Sequence, residues 1–285
     1  MDLGKNYFTN RDKEFPQKIR ELQMKEDIAI RSSYKILHKF DYFQRRLLEI
    51  QLNKKDFYRT IEHYKKAFED DETVQKNSID YKRIAFIDIN RAFINFVSSF
   101  KSFVEHIEKQ LQLIYGSSSH EYLEFKKYLN KLYDEYFSYK LLIRLRDFSI
   151  HKDYSIQSVH FDRVHNGKGG YTYEVNVHFN KSVFMQNKVL RKKLSADLIE
   201  YEELFDPKPF VNEVMDLIQD LFKKYIEIDE KSYLPSAEII RKLAEEAKTD
   251  NIGITVTEMD GLHLKHETKI IPVEMAKDFF KLISE

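Results

Sequence analysis

The chain contains no cysteine and no tryptophan, and the missing cysteine excludes several kinds of chemistry. A disulfide scaffold, a cysteine nucleophile and a thiolate zinc site all need this residue. A chain without disulfides suits a reducing compartment, so we expect a cytoplasmic protein. The N-terminal residues, Met-Asp-Leu-Gly-Lys-Asn, include no apolar segment of the kind that a signal peptide needs, which again predicts a protein that is not exported.

The sequence also has no excess of either charge and no long apolar run. Lysine plus arginine and aspartate plus glutamate each number 47, so the formal net charge is zero. This balance excludes a global positive field that would attract nucleic acid, and any attraction to phosphate must therefore be local. No segment approaches the roughly 20 apolar residues of a membrane-spanning helix, so we expect no membrane partner.

Glycine and proline are scarce and unevenly placed, with seven glycines and five prolines in 285 residues. Between Pro16 and Gly116, and again between Gly116 and Gly167, the chain contains neither. Because both residues interrupt helices, these two long stretches are free to be helical. At a typical domain size of roughly 150 residues, the length predicts about two domains or one enlarged domain.

Apolar residues at three-to-four spacing predict helices over most of the chain. The expected helical ranges are about 17–70, as one helix or two, 81–114, 121–152, 185–204, 210–225, 236–248 and 273–283. Connections are predicted at 69–77 and at 229–235, where the apolar periodicity is interrupted. The clearest apolar face belongs to 81–114, and a polar flank lies beside it, formed by Asn95, Ser99, Ser102 and His106.

The hydrophobic period changes from 3.6 to 2 after His151. Alternating apolar residues over 156–164 and 171–179, separated by a glycine-rich turn, predict a β-hairpin. An isolated hairpin is marginally stable, so its apolar face is expected to lie against the helical body or a partner. A second hairpin, with the Asp260-Gly261 turn, is predicted near the C-terminus.

These patterns predict a mainly α protein in three parts. The parts are an N-terminal helical region (1–78), a helical core (79–228) with an inserted β-hairpin at about 155–180, and a small α+β C-terminal appendage (229–285). A short turn after Gly116 should make the helices over 81–114 and 121–152 antiparallel. The end of the second helix would then lie near Asn90, Arg91 and Asn95.

A cluster of charged and titratable residues ends the helix predicted over 121–152. It contains Arg144, Arg146, Asp147 and His151. Asp147 and His151 are four residues apart and so share a helix face, where the carboxylate could accept a hydrogen bond from the imidazole and fix its tautomer. Arg146 offers a planar donor fork that matches two phosphate oxygens. This combination suits phosphate-ester chemistry.

Such a cluster could cleave RNA without a metal ion or other cofactor. His151 would transfer a proton as a 2′-hydroxyl attacks phosphorus, and Arg146 would stabilise the charge of the transition state. The reaction needs both an acid and a base, and the second histidine is best supplied by the same residue of a symmetric dimer. The residues therefore predict RNA as substrate and a homodimer as the active form.

The segment Arg146-Asp147-Phe-Ser-Ile-His151 resembles the HEPN signature, in which arginine is followed by a polar residue, three variable residues and histidine. The resemblance covers roughly residues 80–225 and implies a HEPN-like helical bundle with the motif on a late helix. It implies a metal-independent endoribonuclease with its site at a homodimer interface, often in toxin–antitoxin or antiviral defence systems, with a protein antitoxin or regulator as a further partner. Arg146 and His151 would be the catalytic pair, tuned by Asp147.

Other residues are assigned less directly. Arg144 also has a permitted spacing to His151, and we predict that Arg144, Asn95 and His106 bind substrate. A non-catalytic HEPN-like module, with the motif helix as a dimerisation seam, is the main alternative, and a purely structural or regulatory protein is a third. No metal site is predicted, because the histidines of the two hairpins lack ligand spacing: His160, His165 and His178 on or near the first hairpin and His263 and His266 on the second.

Overall fold

The computed structural model describes residues 6–14, 16–70, 78–165, 171–260 and 263–284. Over these ranges the chain forms eight helices and two antiparallel sheets, which confirms the predicted mainly α class. Within the same ranges, no helix is both long enough and apolar enough to cross a membrane.

The helices are α1 (Met24–Asp70), α2 (Ser78–Tyr115), α3 (His120–Glu135), α4 (Phe137–His151), α5 (Lys181–Gln186), α6 (Lys188–Leu198), α7 (Lys208–Ala247) and α8 (Val273–Ser284). The strands are β1 (Asn6–Asn10), β2 (Gln17–Glu21), β3 (Ser158–His165), β4 (Tyr171–Asn180), β5 (Leu204–Phe205), β6 (Ile252–Asp260) and β7 (His263–Ile270). The helices predicted over 81–114 and 273–283 are confirmed as α2 and α8.

Contacts along the chain define two units, whereas the sequence predicts three parts. One unit contains residues 1–45 and 225–285, and the other contains residues 46–224. The two chain ends belong to one unit because β1 pairs antiparallel with β6, with Phe8 opposite Ile254. The C-terminal hairpin is therefore part of a sheet that includes the N-terminus, and the prediction of a separate appendage is wrong.

The terminal unit is built on a four-stranded sheet in the order β2-β1-β6-β7. The helix predicted to start at about residue 17 is wrong there, because Gln17–Glu21 is an edge strand that pairs with β1. The predicted C-terminal hairpin is confirmed as β6 and β7, although Gly261 of its turn lies outside the described residues. An aromatic cluster of Phe40, Tyr233 and Phe279 fills the core of this unit.

Helix α7 continues through Pro235, and the predicted connection at 229–235 is wrong. A proline in a helix interior costs about 3 kcal/mol relative to alanine. The large side chains around it are almost fully buried, including Tyr225, Tyr233 and Ile240. Since each such burial contributes about 1.5–3 kcal/mol, packing outweighs the local preference for a break.

The second unit contains a helix break that the sequence does not signal. The single helix predicted over 121–152 is two helices, because Tyr136 adopts an extended conformation with φ −115° and ψ 108°. The break turns Phe137 toward Tyr201 and Phe210, with ring centroids 5.2 and 5.8 Å away. The direction of α4, which carries the Arg146–His151 motif, is therefore set by this aromatic contact as well as by its own apolar face.

The first hairpin lies against the helical body, as predicted. β3 and β4 pair antiparallel, with Phe161 opposite Val175. The ring of Phe161 lies 4.8 Å from Phe68 of α1, and the ring of Phe179 lies 5.5 Å from Phe93 of α2. The predicted turn at 166–170 lies outside the described residues. The single helix predicted over 185–204 is wrong, since α5, α6 and β5 occupy this region.

Candidate functional site

The end of α4 lies against α2 in the antiparallel arrangement that the sequence predicts. Lys101 of α2 donates a hydrogen bond to Asp147 of α4 over 2.7 Å. Asn90, eleven residues before Lys101, contacts Ile156, which follows the end of α4. The motif and the segment that follows it are therefore each fixed to α2.

Asn90 anchors the chain just after His151. Its side-chain amide donates to the carbonyl of Ile156 over 2.9 Å, and the amide of Ile156 donates back to Asn90 Oδ1 over 3.0 Å. The hydroxyl of Ser155 shares a hydrogen bond with Ser149 and donates to the carbonyl of Leu145 at 3.2 Å. These buried contacts hold the segment that ends α4 and so define where the last helical turn stops.

Asp147 is paired with two cations rather than with histidine. Its Oδ1 accepts from Lys101 Nζ at 2.7 Å and from Arg146 Nη1 at 3.1 Å. Burial raises the pKa of Asp147, but the hydrogen bonds from Lys101 and Arg146 outweigh this effect and leave the pKa below its ordinary value. No hydrogen bond or ion pair joins Asp147 to His151 in the described chain, so the predicted carboxylate–imidazole pair is wrong.

His151 is exposed in the last turn of α4, and among the described residues it has no hydrogen bond, ion pair or ring contact. Arg146 is half-buried, and its Nε is a buried donor without a hydrogen-bond partner. The two residues are five apart, which separates them by about 140° around a helix. One copy of α4 therefore directs the guanidinium and the imidazole to different sides.

Arg144 does not join this cluster. Its Nε and Nη2 both donate to the hydroxyl of Tyr133 in α3, at 3.0 and 2.9 Å. Arg144 is two residues before Arg146, which places it about 160° away around the helix. Its contacts hold α3 against α4, and the structure gives it no position beside Asp147.

Asn95 and His106, the other predicted substrate-binding residues, lie on a flank of α2 that faces α1. The carbonyl of Asn95 accepts from the side chain of Asn53 in α1 at 3.4 Å, and Ser102 accepts from Arg46 of α1 at 3.1 Å. His106 is half-buried and, four residues after Ser102, lies on the same flank. Asn95 therefore lies beside α1, and the substrate-binding roles of Asn95 and His106 stay predictions.

A polar groove between α1 and α2 is a feature that the sequence reasoning missed. It has a volume of about 410 Å³, and its lining residues are Asn53, Asp56, Arg59, Thr60, His63, Tyr64, Asp88, Arg91, Ala92 and Asn95. The available signal was two facing polar stripes with helical spacing, at positions 53, 56, 60 and 63 in α1 and at positions 88, 91 and 95 in α2.

The floor of this groove is a short hydrogen bond between a phenol and a carboxylate. The hydroxyl of buried Tyr64 donates to Asp88 Oδ2 over 2.6 Å, and Arg91 Nε lies 3.3 Å from Asp88 Oδ1. The hydrogen bond from Tyr64 lowers the pKa of Asp88, burial opposes the shift, and Arg91 lowers the pKa further. Burial and the hydrogen bond to Asp88 raise the pKa of Tyr64. At neutral pH, Asp88 is therefore ionised and Tyr64 is neutral.

Histidines elsewhere do not form a metal site in the part of the chain that is described. His160 and His178 face each other across β3 and β4 with ring centroids 5.4 Å apart. No group of three histidine, aspartate or glutamate side chains among the described residues could hold a metal ion. The side chains of His263 and His266 lie outside the described part.

Comparison of the chain with protein-family models, curated proteins and solved structures found no match. Any functional assignment therefore depends on the residues and geometry described above.

Proposed function

We propose that this protein is a metal-independent endoribonuclease of the HEPN type that cleaves RNA at a composite homodimer site. Arg146 and His151 are its catalytic pair. The supporting observation is that, among the described residues, the exposed imidazole of His151 in the last turn of α4 has no partner, while the half-buried Arg146 on the same helix keeps an unpartnered Nε donor. A free imidazole and a positioned guanidinium are the groups that this reaction needs.

The proposed reaction is transesterification. His151 of one protomer removes the proton from the 2′-hydroxyl, and the resulting oxygen forms a bond to the adjacent phosphorus. The bond from phosphorus to the 5′-oxygen breaks, and the partner's His151 donates a proton to that oxygen, which leaves a 2′,3′-cyclic phosphate and a 5′-hydroxyl. Arg146 stabilises the negative charge that develops on the phosphate oxygens.

The placement of the motif residues supports a dimer. Since Arg146 and His151 are about 140° apart around α4, a single helix does not direct both toward one phosphate. Two copies related by a two-fold axis can direct the histidine of each toward the arginine of the other. In this proposal Asp147 is a positioning residue for Arg146 and Lys101, and it does not orient His151.

The test is cleavage of RNA by purified protein without metal ions. His151→Ala should reduce the cleavage rate by about 10²-fold or more while the circular dichroism and the dimer mass stay unchanged. His120→Ala is the matched control, because His120 is also an exposed helix-terminal histidine but has only a surface contact with Glu124, and this variant should keep full activity. Undiminished cleavage by His151→Ala would show that His151 is not a catalytic residue and would contradict the proposed function.

A mixed dimer separates a composite site from two independent sites. One subunit carries His151→Ala and the other is unchanged, and the pair is purified with two different affinity tags. If both histidines serve one reaction, the mixed dimer should be nearly as inactive as the dimer in which both subunits carry His151→Ala. Retention of half the activity would show that each subunit works alone and would contradict the composite site.

A non-catalytic binding or dimerisation module is the second candidate, and one observation favours it. Asp147 is already engaged by Lys101 and Arg146, so this carboxylate has its partners within its own protomer. In this case the purified protein cleaves none of a varied set of RNAs, but Arg146→Ala weakens dimerisation measured by sedimentation.

The resemblance to HEPN proteins further suggests a toxin or antiviral defence role with a protein antitoxin. If the protein is a toxin, its expression should arrest growth, and expression of His151→Ala should not.

A further inference from the structure

The groove between α1 and α2 carries a chemistry of its own, separate from the motif on α4. We propose that it binds the ribose-phosphate unit of a nucleotide or of an RNA strand, with Arg59 and Arg91 on the phosphate and with carboxylate and amide groups on the sugar hydroxyls. This proposal does not depend on catalysis by Arg146 and His151.

Two arginines on different helices provide the phosphate contacts. Arg59 of α1 pairs with Asp56 at 3.7 Å, and Arg91 of α2 pairs with Asp88 at 3.3 Å. The arginine side chains are 63% and 64% exposed, so these ion pairs are screened by water and hold the guanidinium groups weakly. A phosphate between the two walls would give each guanidinium a charge-assisted, bidentate partner, which is the stronger contact.

The rest of the lining matches hydroxyl groups rather than a second anion. Asp56 offers carboxylate oxygens that accept from a sugar hydroxyl, and the side-chain amides of Asn53 and Asn95 and the hydroxyl of Thr60 can each donate or accept. The amide of Asn53 already bridges to the carbonyl of Asn95, but at 3.4 Å this bond is long. An inorganic anion would leave these acceptors unused, whereas a phosphorylated sugar uses both sets.

The lining is largely polar, which argues against an apolar ligand. Tyr64 is buried and bonded to Asp88, and Asp88 in turn contacts Arg91, so one arginine is supported from below before a ligand arrives. Ala92 is the one aliphatic residue among the lining side chains. Because a nucleobase prefers an apolar or aromatic slot, the groove suits the sugar and phosphate, and the base would lie outside it.

The dimensions and the position of His63 agree with this ligand class. The volume of about 410 Å³ falls in the range typical of small-ligand pockets, roughly 300–1,000 Å³. His63 is exposed at the groove, with its ring 5.2 Å from the ring of Tyr64. Its imidazole can donate a further hydrogen bond to a phosphate oxygen.

The experiment is isothermal titration of the full-length protein with ribose 5-phosphate, ribose and inorganic phosphate. Ribose 5-phosphate should bind at least tenfold more tightly than phosphate, and ribose alone should not bind measurably. Arg59→Ala and Arg91→Ala should each weaken binding at least tenfold, and Asp56→Asn should weaken ribose 5-phosphate but not phosphate. Equal binding of phosphate and ribose 5-phosphate would reduce the groove to an unspecific anion site and overturn the proposal.

Arg45→Ala is the matched control. Arg45 is an exposed arginine on α1, the helix that also carries Arg59. It is paired with Asp41 at 2.8 Å and is not part of the groove lining. This variant removes the same charge and should leave binding unchanged. If it weakens binding as much as Arg91→Ala does, the effect is general electrostatics and the proposal fails.

Two further arms identify the source of the ribose phosphate, with His151→Ala as the protein so that RNA is not consumed. Adenosine monophosphate and a short uridine RNA are titrated separately. Binding of the mononucleotide that depends on Arg91 assigns a nucleotide site, and binding of RNA alone with the same dependence assigns a strand site. If neither ligand binds, the proposal is wrong, whatever the cleavage activity of the unmodified protein.

Discussion

Lys101 of α2 and Asp147 of α4 form an ion pair of 2.7 Å that ties the motif helix to its neighbour. The ammonium group is well covered, with the Lys101 side chain 18% exposed, whereas the Asp147 side chain is 41% exposed. Asp147 also accepts from Arg146, so one carboxylate organises both cations. The polar residue that follows the motif arginine therefore acts on the arginine rather than on the histidine.

Replacing either partner of this ion pair should reveal how much the pair contributes to the free energy of unfolding. In a double-mutant cycle with Lys101→Met and Asp147→Asn, we expect a coupling energy of about 0.5–1 kcal/mol at pH 7, measured by urea unfolding. Because the folded-state pKa of Asp147 is lowered, the contribution is present above the ordinary value of 3.8 and is lost as the pH falls below it. A coupling energy that stays constant down to pH 2 would contradict the assigned contact.

Asn90→Ala should destabilise the protein by about 2–3 kcal/mol. The substitution removes two hydrogen bonds to Ile156 and leaves the buried amide and carbonyl of that residue without Asn90. Asn95→Ala is the control on the same helix, since the side chain of Asn95 is exposed, and it should change the free energy of unfolding by less than about 0.5 kcal/mol. Equal effects of the two variants would mean that the Asn90 contact does not anchor the end of α4.

Tyr64→Phe should lower the free energy of unfolding by about 1–2 kcal/mol at pH 7, because it removes a hydrogen bond to an ionised carboxylate. The pKa of Tyr64 is raised above its ordinary value of 10.0, so the folded state holds the phenolic proton more tightly than the unfolded state. Its contribution is therefore complete below pH 10 and is lost as the pH rises above 10. The difference between the wild type and Tyr64→Phe should narrow by pH 11.

The same variant should raise the pKa of Asp88, which carboxyl-carbon NMR can measure. Tyr154→Phe is the control, because Tyr154 is 45% exposed, and it should affect neither stability nor Asp88. An unchanged pKa of Asp88 in Tyr64→Phe would show that Arg91 alone holds this carboxylate in its ionised form.

Pro235→Ala should stabilise the protein by about 1–2 kcal/mol, because alanine returns an N–H donor to the interior of α7 and favours the helix. Pro209→Ala is the control. Pro209 lies in the first turn of the same helix, where no intrahelical donor is lost, so this change should be close to neutral. Thermal unfolding measures both, and a lower melting temperature for Pro235→Ala would mean that the core requires the helix geometry that proline imposes.

Local patterns in the sequence determined much of the helical and hairpin structure. Helix α2 was predictable because its apolar face repeats at helical spacing without glycine or proline, and β3 and β4 were predictable because their alternation has a period of two. The antiparallel approach of α4 to α2 also followed from a short turn between long helices. These features depend on neighbours close in the chain, which a single sequence records directly.

Contacts between distant residues decided the rest. The pairing of β1 with β6 joins residues about 250 positions apart. In the same sheet, β2 pairs with β1 at residues 17–21, which were expected to be helical. Tyr136 breaks a helix that has no glycine or proline at that point, where Phe137 meets Tyr201 and Phe210. Neither outcome has a local signal, because the stabilising surface comes from elsewhere in the chain.

The candidate sites divide in the same way. The sequence by itself placed Arg146, Asp147 and His151 near the end of one helix, since their spacing and the following break are local properties. Only the tertiary structure decided that Asp147 binds Lys101 and Arg146, that His151 remains exposed, and that two polar stripes meet in a groove between α1 and α2. Helical spacing fixes the direction of a side chain, but the partner in that direction is fixed by the packing of another helix.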